Sequence, residues 1–276
     1  MPSPITLKTI RLMLRIVLML MLLPTAAFAK DFSNDFAVVF IDQASEARFG
    51  NFPFDRSIIA QAVDRSANAG AKGIVLKFFL DQPRSPSGDM ALAKALSRLT
   101  VVLQARIDDT EKSANPLPER FTLADRAVKS GVAGNAGWIP LGQFSEHAAD
   151  VCFVDFVSSP IPLIETYQNR PVKSLVLCAA ELALGTKAVI RSSQAILIGK
   201  NEIRVDAMNR FSVQFAPDRP IPTLSFNDLF DGKLSPVRLK NKVVIIGYDG
   251  TSIPRIGGVG IHRLFVQNLR AFYEAI

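Results

Sequence analysis

The chain has 276 residues, 49% of them hydrophobic, and 32 basic against 25 acidic side chains give a formal charge of +7. Three of those basic residues, Lys8, Arg11 and Arg15, sit at the start, and no run of Lys and Arg follows, so nucleic-acid binding has little electrostatic support. Two cysteines are too few for a disulfide-built miniature fold, and the length is ample for a buried core.

Residues 1–29 read as a secretory signal peptide. The basic residues precede the uncharged run Ile16–Leu23, Pro24 breaks it, and Ala27-Phe28-Ala29 puts small residues at −3 and −1 of a cleavage site. A spanning helix needs about 20 apolar residues, more than this segment holds; an uncleaved anchor is the alternative. Cleavage leaves a single domain, 30–276, with a formal charge of +4 and a start near Lys30 in the periplasm or outside the cell. Later apolar runs are strand-sized, so no integral membrane span is expected in the mature chain.

Strand and helix signals then alternate, predicting an α/β layered sandwich with a central mixed, largely parallel sheet flanked by helices. Ala37–Ile41 is an unbroken apolar strand of the kind buried on both faces. Asp55 caps a helix with apolar positions at Ile58, Ile59, Ala62, Val63 and Ala67, stopped by Gly70. Gly73–Leu80 is the next strand, Asp89–Leu99 a helix and Val101–Ala105 a third strand. Asp108–Pro118 reads as an exposed loop. Short strands are expected at Trp138–Pro140, Val151–Phe156, Leu163–Thr166, Ala195–Ile198, Glu202–Asp206 and Phe211–Phe215. A helix over Ser174–Leu184 ends at Gly185. The loop Ala216–Pro222 leads to a short helix closed by Gly232, then a core strand Lys242–Gly247 and a terminal helix Ile261–Ala275. An oxidising compartment permits a Cys152–Cys178 disulfide, but their apolar surroundings equally suit buried free thiols, which is the first reading.

Several segments together resemble the second type of CHASE domain, an extracellular sensory module of bacterial cyclases and kinases. They are Phe40-Ile41-Asp42-Gln43-Ala44-Ser45, the stretch Gly50 to Arg56 for a W-P-W-x-R element, the turn Ala69 to Lys72, the G-D-x-x-L-A element Gly88 to Ala93, Leu239 to Gly247, and Gly258 to His262 with Asn268. The resemblance spans residues 36–275. Lys77 stands where the family carries Asp, no D-G-x-x-R segment is found near Asp155, and Arg263 and Leu264 replace Ala and Asn after His262. What the resemblance implies is a sensory module that binds a small ligand or a periplasmic protein. Because the sequence stops at Ile276 before any output module, a stand-alone copy is expected.

Ligands of open α/β sheets collect beyond the carboxyl ends of the strands. Asp42, Asp81 and Asp249 fall there, with His262 near Asp249, and Arg56 and Lys77 are the notable cations; these six are the candidate ligand-binding residues. Asp42 and Asp81 also suit turn caps. Arg56 suits an anchor of the Pro53-Phe54 turn, and Phe52 and Phe54 suit core aromatics. Lys77 lies inside an apolar strand and should meet a carboxylate or a cavity. His262 suits a satisfied structural imidazole, and His147 a solvated one. The glycines at 247, 250, 257 and 258 suit tight turns, or an anion cradle. No G-x-S-x-G, H-E-x-x-H or Walker element is present, so no catalytic residue, metal or cofactor is assigned. The alternatives are a metal-dependent periplasmic hydrolase using Asp42, Asp81, Asp249 and His262, and an envelope assembly protein.

Overall fold

The structure is a computed structural model that describes residues 30–110, 115–124, 128–155, 159–192, 194–213 and 220–276. The signal peptide expected over 1–29 lies outside the described residues. So do parts of the expected segments Asp108–Pro118, Val151–Phe156, Phe211–Phe215 and Ala216–Pro222.

In chain order the elements that build the site are β1 (Phe36–Ile41), α1 (Gln43–Phe49), α2 (Arg56–Asn68), β2 (Gly73–Lys77), α3 (Pro86–Leu96), β3 (Val101–Ile107), β4 (Gly137–Trp138), β5 (Asp150–Phe153), β6 (Ile164–Tyr167), β7 (Arg170–Lys173), α4 (Leu175–Leu184), β8 (Thr223–Ser225), α5 (Phe226–Asp231), β9 (Val243–Tyr248) and α6 (Ile261–Ala275). The main sheet runs β8-β1-β9-β2-β3-β5 with every neighbouring pair parallel, and β4 adds antiparallel to the end of β3. The chain is therefore an α/β fold around a mixed, largely parallel sheet.

Alternation along β1 shows why these strands are apolar throughout. Ala37, Val39 and Ile41 enter one core with α2, α3 and α5, while Phe36, Val38 and Phe40 enter the other with α4 and α6. The second core is closed by a three-stranded antiparallel sheet, Ala188–Ser192, Ala195–Ile198 and Asn201–Arg204, through Ile196, Ile198 and Ile203.

Local signals set the helix ends. Asp55, Ser85, Ser174 and Ser225 cap α2, α3, α4 and α5 with side-chain oxygens on first-turn amides. Gly70, Gly185 and Gly232 take positive φ at the ends of α2, α4 and α5. Two expected boundaries move. Helix α3 starts at Pro86, three residues before the expected Asp89, because Ser85 caps it and Pro86 fills the first helical position. Strand β2 ends at Lys77 and not at Leu80: β9 pairs with it only as far as Gly247, although Phe78 and Leu80 stay buried.

Candidate functional site

Beyond the carboxyl ends of the strands, on the α6 side, the apolar core gives way to a layer of buried polar groups. Alternation carries Val75 and Lys77 of β2, and Val102 and Gln104 of β3, to this face. Lys77 is 3% exposed; its ammonium donates to Gln104 Oε1 at 2.6 Å and lies 5.2 Å from the centre of the Phe265 ring on α6. Burial pulls Lys77 down to about 7, partly offset by the charge of Asp155. Its direct hydrogen-bond acceptor is a neutral amide, while the expected carboxylate, Asp155, acts on it through charge alone.

His262 opens α6 behind Gly260. Its Nδ1 accepts the Tyr248 backbone N–H at 2.9 Å, which places the ring proton on Nε2, and burial together with Lys77 keeps the imidazole neutral. Asp249, one residue on, pairs through Oδ2 with Arg263, while its Oδ1 is buried and receives no hydrogen bond among the described residues. Arg263 also covers Phe40 at 4.7 Å.

Past β3 and β5 the layer ends in two carboxyl groups. Both oxygens of Asp155 accept the Ile107 backbone N–H, at 3.0 and 2.9 Å, and the Arg106 Nε lies 3.8 Å away. Glu165 on β6 is 1% exposed and close enough to Asp155 for each carboxyl to shift the other. Burial pushes both up, Glu165 well above the usual carboxylate range because Asp155 adds its own charge.

The other candidates lie elsewhere. Asp42 forms a capping box with Ser45 at the start of α1, its Oδ1 taking the Ser45 N–H at 2.9 Å. Arg56 is 3% exposed in the α2 core, bonded to Asp89 at 2.6 Å and to the Gln82 carbonyl at 2.5 Å. Asp81 meets the Gln82 side chain at 3.2 Å. None of the three shares a partner with Lys77. Phe54 is core, and Phe52 stacks on Tyr248 at 4.6 Å. Gly257 and Gly258 make the tight turn between Arg255–Ile256 and Val259–Gly260. Among the described residues, Asp42, Asp81, Asp249 and His262 do not converge as metal ligands.

Three features escaped the sequence. Glu46 takes the Tyr248 hydroxyl at 2.7 Å and the Thr251 amide at 2.8 Å, tying the loop after β9 to α1; a Glu in the first turn after the Asp42–Ser45 box was the available signal. The Asp155–Glu165 pair is joined only by tertiary structure. At the amino end of the same edge strand, β5, buried Lys173 bridges Asp150 and Glu181, at 2.7 Å to the latter, with exposed Lys187 closing the group at 3.1 and 3.3 Å. A cavity of about 300 Å³ opens there, lined by Lys72, Thr100, Val102, Leu182, Thr186 and Lys187.

Cys152 on β5 and Cys178 on α4 line that same end. Both are enclosed, as free thiols would be, but their sulfurs are bonded. Closing 26 residues of separation constrains the unfolded chain, so reduction during urea denaturation is expected to cost about 3.5 kcal/mol. Coincident oxidised and reduced curves would contradict this.

Fold and edge chemistry together define an α/β module with a polar layer at the strand ends. The sequence pattern of the CHASE2 domain matches residues 8–272, and the chain belongs to that family, one of extracellular sensory domains and not of enzymes. The match spans nearly the whole chain and starts within the first twenty-nine residues. No curated protein and no solved structure matches the chain. Among the described residues no helix is long and apolar enough to cross a membrane.

Proposed function

We propose that residues 30–276 are the sensory domain of an exported chain, and that the domain answers a small ligand or a periplasmic protein at the layer around Lys77 and His262. The observation that carries this reading is Lys77: an ammonium removed from water onto a neutral acceptor detracts from folding, which marks the position as kept for another purpose. Replacing Lys77→Met together with Gln104→Leu fills the same space without a polar group and is expected to raise the unfolding free energy by about 1–4 kcal/mol. Lys77→Met alone leaves the Gln104 oxygen without its donor, which cancels about 1–3 kcal/mol of the gain.

The test is a thermal-shift screen of envelope metabolites, with a pull-down from the envelope, run on the wild type and the double variant. Binding by the wild type that disappears from the stabilised double variant supports the reading. Binding that survives in it, or a double variant less stable than the wild type, contradicts it. Export is checked separately: the purified chain should begin near Lys30 and sit in the periplasmic fraction, whereas cytosolic material with residues 1–29 intact would overturn that part.

A further inference from the structure

We propose that this layer binds the proton itself as its ligand, held between the carboxyl groups of Asp155 and Glu165 and reported through Arg106 to Trp138. The proposal rests on the sensory reading above and names the stimulus for the same site. Glu165 is 1% exposed, its Oε2 receives no hydrogen bond among the described residues, and its neighbour in the layer is a second carboxyl. Asp155 is held in place by the Ile107 amide and is only 8% exposed on its side chain. Two carboxyl groups in contact in a dry layer do not both ionise at little cost; one O–H donated to the other's oxygen satisfies the pair with a single proton.

The charged and titratable groups facing the pair are Arg106 from β3, Asp108 just beyond it, Lys77 from β2, and His262 from α6 behind Lys77. Arg106 is the cation with freedom to respond. Its side chain is 46% exposed, its Nε stays 3.8 Å from Asp155, beyond hydrogen-bond distance, and its guanidinium stands 5.3 Å from the ring of Trp138 on β4. When the shared proton leaves for solvent, the second negative charge draws Arg106 onto the pair and off the indole face. Burial raises both carboxyls, which moves this event toward neutral pH.

Trp138 is the single tryptophan of the chain, so its emission reads this site without a label. Tryptophan fluorescence of the purified chain, titrated between about pH 5 and 9, is expected to show one reversible transition at constant far-UV circular dichroism. Glu165→Gln keeps the shape and the donor but cannot ionise, and should abolish the transition. Arg106→Met, at a half-exposed position that tolerates change, should also silence Trp138 while carboxyl carbon-13 NMR still shows one group titrating in this range. A wild type without the transition, a transition that survives in either variant, or two independent titrations near pH 4 would overturn the proposal. An exported chain with a silent Trp138 defeats the proton and spares the sensory reading; a cytosolic chain with the transition does the converse.

Discussion

Arg56→Ala is expected to destabilise the domain by about 3–5 kcal/mol, because it leaves Asp89 buried without its cation. The two side chains are 4% and 6% exposed and meet at 2.6 Å. The guanidinium also closes the Gln82 carbonyl at 2.5 Å and covers Phe144 at 4.8 Å. It thereby ties the first turn of α2 to α3 and to the segment after β2. At roughly 2–4 °C per kcal/mol for a domain of this size, the melting temperature should fall by about 10 °C. Replacing Asp89→Leu in the same chain should recover much of the loss, since an apolar pair carries no stranded charge. A single-variant loss below about 1 kcal/mol in urea unfolding would show that the pair is not desolvated as described.

Lys173→Met is expected to have a comparable effect at the amino end of β5. Lys173 bridges Asp150 and Glu181, whose side chains are 6% and 2% exposed, and Glu181 also takes the Ala188 amide at 2.8 Å. Removing the ammonium leaves two carboxylates facing one another with only Lys187, 65% exposed, to offset them. The cost is about 3–5 kcal/mol at neutral pH. By contrast Lys187→Met, at the solvent-facing position, should cost under about 1 kcal/mol. Equal losses for the two lysines would contradict this account.

The sequence shows the frame more clearly than the site, for physical reasons that differ from element to element. Strands β1 and β9 are legible because burial on both faces demands an unbroken apolar run. Helices α2, α4 and α6 are legible from apolar positions at helical spacing, with a capping residue or a closing glycine on α2 and α4. Helix α1 escaped because its seven residues, Gln43 to Phe49, carry no apolar period, and only the Asp42–Ser45 capping box marks its start. Strand β8 escaped because it is a three-residue edge strand with Thr223 exposed, paired through β1 alone.

Within the site, Lys77 stands out as a charge inside an apolar strand, and His262 as the start of the terminal helix. Asp155 is a charge inside the apolar run Val151–Val157 and Glu165 follows Leu163 and Ile164, but they stand ten positions apart, and only the packing of β6 beyond β5 makes them neighbours. The sequence suggests Arg56 as an anchor of the Pro53-Phe54 turn; instead it bonds Asp89 and the Gln82 carbonyl, and Arg84 is the side chain that reaches the Pro53 carbonyl. Asp42 caps a helix, one of the two roles open to it in the sequence.

The whole functional account depends on Lys77 being an ammonium that the fold does not fully compensate. In the folded chain its value falls from 10.5 to about 7, so between those pH values the unfolded chain binds more protons. On account of this group, stability therefore rises with pH across that window; the penalty is full below about 7 and gone above 10.5. Glu165 acts in the opposite sense: its raised value favours the fold at low pH, and that contribution is lost as pH rises through it. The most direct measurement is a carbon-13 NMR titration of lysine side chains, with the Lys77 resonance identified by its absence from Lys77→Met. A midpoint near 7 is the expected result; a midpoint near the ordinary 10.5 would show a hydrated or fully paired lysine and contradict the account.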